Sequence, residues 1–121
     1  MAVKPTRMTR TTVEILDVLL SGLLAGEDMH GLEVCRQTGL KSGTVYPVLD
    51  RLHRAGWVTT WWENDETWQA AAGERWRPRR RYYRLANEAR QPVREAIAAH
   101  RPAAPKVGRL AGLGDNPGVI S

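Results

Sequence analysis

The chain has 121 residues, with 18 Lys and Arg against 13 Asp and Glu, a net charge of +5 and no Phe. That length supports one domain with one modest core, so a subunit interface is an expected further source of stability. The single cysteine, Cys35, excludes an intrachain disulfide, and no apolar run approaches the roughly 20 residues needed to span a bilayer, so the expectation is a cytoplasmic protein with no membrane partner.

Residues 1–10 carry Lys4, Arg7 and Arg10 around Pro5 without a periodic apolar face, and read as a flexible basic arm. Thr12 is the expected cap of a first helix over Val13 to Leu24. Its apolar residues cover most of the circumference, leaving Glu14, Asp17 and Ser21 as a narrow polar stripe. A helix this apolar predicts packing against its own core and against a second chain, through Leu16, Leu19, Leu20 and Leu23; the same pattern also fits a helix that is wholly internal.

A short second helix is expected near Gly31 to Thr38, with Leu32 and Cys35 inward and Gly39 as its left-handed stop. Gly39-Leu40-Lys41 then joins it to a third helix in the few residues a helix-turn-helix allows. Ser42 is the expected cap there, and Val45, Val48, Leu49, Leu52 and Ala55 share one face at helical spacing. Lys41, Ser42, Thr44, Tyr46 and Arg51 occupy the first turn and the opposite side.

After Gly56, Trp57 to Glu63 has the β-branched and aromatic bias of a strand, and Arg80 to Leu85 is its partner. Tyr83 and Leu85 are expected inward with Val58, while Arg80, Tyr82 and Arg84 alternate outward. Residues 64–79 form the expected wing loop. A fourth helix runs from after Asn87 towards His100, with Val93, Ala96 and Ile97 as its apolar stripe and Pro92 either opening or kinking it. Val93 and Ile97 join the expected dimer interface, and the Pro/Gly-rich tail over 101–121 is expected to be flexible.

The fold class is therefore mainly α with a small β-hairpin: a winged helix-turn-helix domain over 11–86, followed by a C-terminal helix over 87–100. Such a protein presents the start of its third helix to the major groove of double-stranded DNA. Ser42, Gly43 and Thr44 stand at that tip, and Gly43 permits close backbone approach. Lys41 and Arg51 read either as phosphate contacts or as a solvated helix face, and Tyr46 either as a phosphate or sugar contact or as a half-buried brace.

The segment Arg75 to Arg84 packs six arginines into ten residues with no acid among them. Arg77, Arg79, Arg80 and Arg81 are accordingly candidate DNA contacts of the wing, against the plainer reading of a solvated hairpin paired with Asp65, Glu66 and Glu74.

Residues 16–100 resemble the PadR-type transcriptional repressors. Leu16 to Leu24 is similar to that family's apolar first helix, and Met29-His30-Gly31-Leu32-Glu33-Val34 resembles its His-Gly-Tyr-Glu-Ile signature with Leu32 in place of tyrosine. Ser42-Gly43-Thr44-Val45-Tyr46-Pro47-Val48-Leu49 is similar to its Pro-Gly-Thr-Val-Tyr-Pro-Leu-Leu run, and Arg81 to Leu85 to its Lys-Tyr-Tyr-Arg-Leu strand. The chain departs from the pattern in the wing, which has Trp76-Arg77-Pro78 for Gly-Arg-Pro and is lengthened by Asn64 to Glu74.

The resemblance implies a homodimeric repressor on an inverted repeat, and it favours Tyr46 as a DNA contact. It also implies a small aromatic effector, for which Trp61, Trp62, Trp68 and Trp76 are the candidate platform; packing of the strand and wing is the commoner use of such residues.

Scattered His30, His53 and His100 and one Cys offer neither a partnered nucleophile nor a metal-ligand spacing, so no enzyme, metal or cofactor is expected. Two other classes fit the same residues: a protein-interaction adaptor using the apolar first helix, and a single-strand or RNA binder using Arg and Trp stacking.

Overall fold

The computed structural model describes residues 3–72 and 77–100. Its elements in chain order are α1 (Arg10–Ala25), β1 (Met29–His30), α2 (Gly31–Thr38), α3 (Ser42–Arg54), β2 (Val58–Trp62), α4 (Asp65–Ala72), β3 (Arg81–Leu85), a 3-10 turn (Asn87–Ala89) and α5 (Arg90–His100). Three helices on one face of a small antiparallel sheet, with the β2–β3 hairpin as the wing, make a winged helix-turn-helix.

α1 starts earlier than the sequence suggested. Thr9, not Thr12, caps it, accepting from the Thr12 backbone N–H at 3.1 Å. Thr12 is fully buried instead. Ile15, Leu16, Leu19 and Leu20 are also buried, against α5, α2 and the sheet. The chain's own core therefore takes three of the four leucines expected at a dimer interface, Leu16, Leu19 and Leu20, and the wholly internal alternative holds for them. Leu23 is partly buried, and Leu24 beside it is 56% exposed. Gly26, at φ 73°, stops the helix in the left-handed conformation that glycine tolerates best.

The N-terminal segment is a strap rather than a free arm. Val3 and Met8 pack on the core, Lys4 N–H donates to Ala55 O at 2.9 Å, and the Trp57 indole N–H donates to Lys4 O at 2.6 Å. These contacts satisfy the polar end of a buried indole that would otherwise lack a partner.

α2 has its expected bounds, but its inward residue is Val34; Leu32 is 63% exposed and Cys35 half-buried. α3 buries Val45, Val48, Leu49 and Leu52 as its spacing predicted. Lys41 takes the cap position, without a side-chain hydrogen bond, and Ser42 is the first helical residue rather than the cap.

The sheet order is β1-β3-β2. β2 pairs with β3 from Val58↔Leu85 to Trp62↔Arg81, which turns Val58, Tyr83 and Leu85 inward as expected. The two-residue β1, which the sequence did not suggest, pairs Met29 with Tyr83 and His30 with Tyr82 on the other side.

The segment expected as a loop over 64–79 contains α4. Asn64 caps it by accepting from the Thr67 N–H at 2.7 Å, and Asp65 and Glu66 lie in its first turn, where negative charge suits the helix dipole. Pro92 falls in the first turn of α5, where its missing N–H costs little, so the helix is not broken. Val93, expected at a dimer contact, is fully buried within the chain, while Ile97 packs only partly against the core. The tail expected beyond Arg101 lies outside the described residues.

Candidate nucleic-acid interface

The short turn after Gly39 fixes α3 across the domain with its first residues clear of the body. Lys41, Ser42, Gly43 and Thr44 are all exposed. A side chain at Gly43 would meet nothing within 4 Å, so another backbone can approach this tip closely. Tyr46, one turn in, is 38% exposed; its ring lies over Gly31 at the start of α2, and burial raises the pKa of its phenol. It is thus both a brace and a surface residue. Arg51 is turned away from this tip. Its Nη2 donates to Thr12 Oγ1 at 2.6 Å and to Arg7 O at 3.2 Å, so its guanidinium ties α3 to α1 and the strap, correcting its expected phosphate role.

The arginine cluster divides by its partners. Arg77 donates through both Nη atoms to the Glu63 carboxylate, at 2.9 and 2.8 Å, and Glu63 is only 5% exposed. Arg79 pairs with Asp65 and sits 5.3 Å from the Trp68 ring centre. Arg84 pairs with Asp28 at 2.6 Å. Acids distant in sequence therefore neutralise arginines that look unopposed within their own segment, and Arg77 is a structural residue of the wing base rather than a DNA contact.

The side chains of Arg80 and Arg81 form no ion pair among the described residues, although the Arg80 backbone N–H donates to Glu63 Oε1 at 3.2 Å. Arg81 Nε donates to Thr60 Oγ1 at 2.9 Å and its guanidinium lies 5.6 Å from the Trp62 ring centre, which leaves its Nη groups for another acceptor.

The two halves of the candidate surface meet. A cavity of about 480 Å³ is lined by His30, Leu32, Tyr46, Trp62, Arg80 and Arg81 among others, so the recognition helix and the unpaired wing arginines share one wall. Burial first, then the charges of Arg80, Arg36 and Arg77, lower the pKa of His30. His30, Gly31 and Leu32 line the cavity as well, although nothing in their residue types marks them for it. Their only signal was their place in the His-Gly signature.

Among the described residues, Trp61, Trp62 and Trp68 do not converge on one platform. Trp61 stacks on Tyr82 across the outer face of the sheet, with centroids 5.9 Å apart, and Tyr82 in turn meets the edge of His30. Trp62 lies on the opposite face at the cavity, and Trp68 on α4 donates its indole N–H to Arg77 O at 2.6 Å. Trp76 lies outside the described residues. Packing and wing bracing account for Trp61 and Trp68, and Trp62 alone of the three lines the cavity.

The Glu63 ion pair gives a pH prediction. Hydrogen bonding from Arg77 lowers the Glu63 carboxyl from 4.5 to about 2. A carboxylate with a depressed folded-state pKa contributes stability that is fully present above 4.5 and is lost as pH falls from there through about 2. Glu63→Gln, which removes the titration, should be less stable at neutral pH and lose less stability over that interval. Urea midpoints measured across the range check this; equal losses in both proteins would contradict it.

Among the described residues, no group of three or more His, Cys, Asp or Glu is placed to hold a metal, and no helix is long and apolar enough to cross a membrane.

Comparison with known proteins adds three solved structures of the same fold. A PadR family transcription regulator from Clostridium difficile R20291 superposes with a TM-score of 0.59 at 22% identity, covering 86% of this chain and 100% of its own. A PadR-like transcription factor from Bacteroides fragilis gives 0.56 at 20% identity, covering 84% of this chain and 90% of its own. Bacillus subtilis PadR, solved in complex with operator DNA, gives 0.57 at 15% identity, covering 85% of this chain and 62% of its own. No curated protein sequence matches the chain.

Residues 19–95 match the sequence model of the Transcriptional regulator PadR-like family. The chain belongs to that family. Its members are transcription regulators, not enzymes. In this PadR-like chain the match runs from inside α1 to the middle of α5, taking in the recognition helix and the whole sheet.

Proposed function

We propose that this chain is a sequence-specific double-stranded DNA-binding regulator, a cytoplasmic repressor that binds an inverted repeat as a homodimer. The observation that carries the proposal is the shared wall of Tyr46, Arg80 and Arg81 beside an exposed α3 tip at Lys41 to Thr44. The tip enters the major groove, where base edges present distinguishable donors and acceptors. Arg80 and Arg81 hold the neighbouring backbone, which fixes register without reading sequence. The Bacillus subtilis relative's complex with operator DNA supports the same role here.

With Leu16, Leu19, Leu20 and Val93 internal, the dimer contact falls to Leu23, Leu24 and Ile97. Two copies related by a twofold axis present their α3 tips to half-sites about one turn, roughly 34 Å, apart. A flat aromatic effector is part of the proposal, seated against Trp62 and Tyr46 in the cavity where it would obstruct the duplex. At about 480 Å³ the cavity lies within the usual range for small ligands.

The outer aromatic row of His30, Tyr82 and Trp61, with the Arg84 guanidinium 5.2 Å from the Trp61 ring centre, favours a second reading as a single-strand binder. A footprint on the DNA flanking the chain's own coding sequence decides between the two. The proposal expects a twofold-symmetric protected duplex segment that a flat aromatic compound releases. An asymmetric footprint sinks the dimer on an inverted repeat, protection unmoved by saturating compound sinks the effector, and preference for unpaired strands sinks the regulator.

A further inference from the structure

Gly31 opens α2 without any demand on the backbone. The described glycines of positive φ are Gly26, Gly39 and Gly56, so Gly31 has an ordinary conformation in which alanine would be the better helix former. Space is the reason for glycine here. A Cβ at position 31 would lie well inside 3.0 Å of the Tyr46 hydroxyl and ring, a separation that real Cβ atoms essentially never show, whereas at Gly39 or Gly43 it would meet nothing within 4 Å.

The contact joins two pieces of sequence that look independent, the His30-Gly31 pair and the Thr44-Val45-Tyr46-Pro47 run. Tyr46 also lines the cavity it shares with Arg80 and Arg81. Its ring therefore has Gly31 beneath it and the basic wall beside it.

We propose that Gly31 is a positioning residue for DNA binding: its bare backbone is the seat of the Tyr46 ring, and that seat aims the phenol hydroxyl at a phosphate held by Arg80 and Arg81. The proposal rests on the duplex-binding function above. Alanine at 31 dislodges the ring from that seat and into the cavity that Tyr46 shares with Arg80 and Arg81, the space a bound phosphate takes. Tyr46 then obstructs the contact it otherwise makes.

The test compares the full-length chain with Gly31→Ala, Tyr46→Phe, Tyr46→Ala and the Gly31→Ala/Tyr46→Ala double variant, measuring affinity for the footprinted duplex and the urea midpoint. Gly31→Ala should weaken duplex binding by about tenfold, the worth of one charge-assisted hydrogen bond, and Tyr46→Phe should weaken it comparably while keeping its urea midpoint. On the Tyr46→Ala background the same glycine change should cost no further affinity and should no longer lower the urea midpoint. Equal losses on both backgrounds would overturn the proposal. So would coupling seen in urea with duplex affinity unchanged, an outcome that leaves the DNA-binding function standing. If the unaltered chain binds no duplex, the function itself fails, and the urea series separately decides whether Gly31 seats Tyr46.

Discussion

Reversing the charge at both Arg80 and Arg81 to glutamate should reduce affinity for duplex DNA by at least about 100-fold in moderate salt, while leaving the fold intact. These are the wing arginines whose side chains form no ion pair among the described residues, so their guanidinium groups are available to phosphate. Folding stability depends on them weakly. Arg80 is exposed, and Arg81 contributes one hydrogen bond to Thr60 and ring contacts worth about 0.5–1 kcal/mol at exposed sites.

The slope of log affinity against log salt should fall by about one for each phosphate contact removed. Arg79→Ala makes the contrast, because Asp65 already occupies that guanidinium and its loss should change DNA binding far less. A double reversal that binds duplex as well as the unaltered chain would take the wing out of the interface. It would then favour an adaptor working through apolar surface.

Leu49→Ala should destabilise the domain by about 2–5 kcal/mol, a large part of the roughly 5–15 kcal/mol that holds a typical domain together. Leu49 is fully buried on the core face of α3, between residues that hold the helix against α1, α2 and the sheet. Leu32→Ala serves as the comparison: at 63% exposure its loss should stay within about 0.5 kcal/mol. Urea unfolding of the two variants separates these values, and comparable destabilisation would place Leu32 inside after all.

How far the sequence led depends on the range of the interactions involved. The core face of α3 and the inward set Val58, Tyr83 and Leu85 were legible because helical and strand periods are local properties. The cap of α1 was misplaced by one turn because Thr9, Thr11 and Thr12 offer similar hydroxyls, and only tertiary contact shows that Thr12 is the one drawn inward to Arg51. α4 carried a readable signature in Asn64, Asp65, Glu66 and Ala70 to Ala72, hidden by the expectation of an open wing.

The wing arginines needed the fold. Glu63 and Arg77 are fourteen positions apart, and Asp28 and Arg84 fifty-six, so no local charge pattern reveals which arginines remain available. The burial of Leu16, Leu19, Leu20 and Val93 in the chain's own core was hidden for a related reason. An all-round apolar helix announces burial without saying whose core buries it, and α1 turned out to serve its own.

The salt dependence of duplex binding by the full chain reports most directly on phosphate recognition by this surface. With about six phosphates neutralised by the α3 tips and wings of a dimer, log affinity should fall against log salt with a slope of about −5. A slope near zero would contradict phosphate recognition by Lys41, Arg80 and Arg81, and with it the account of this surface as a DNA interface.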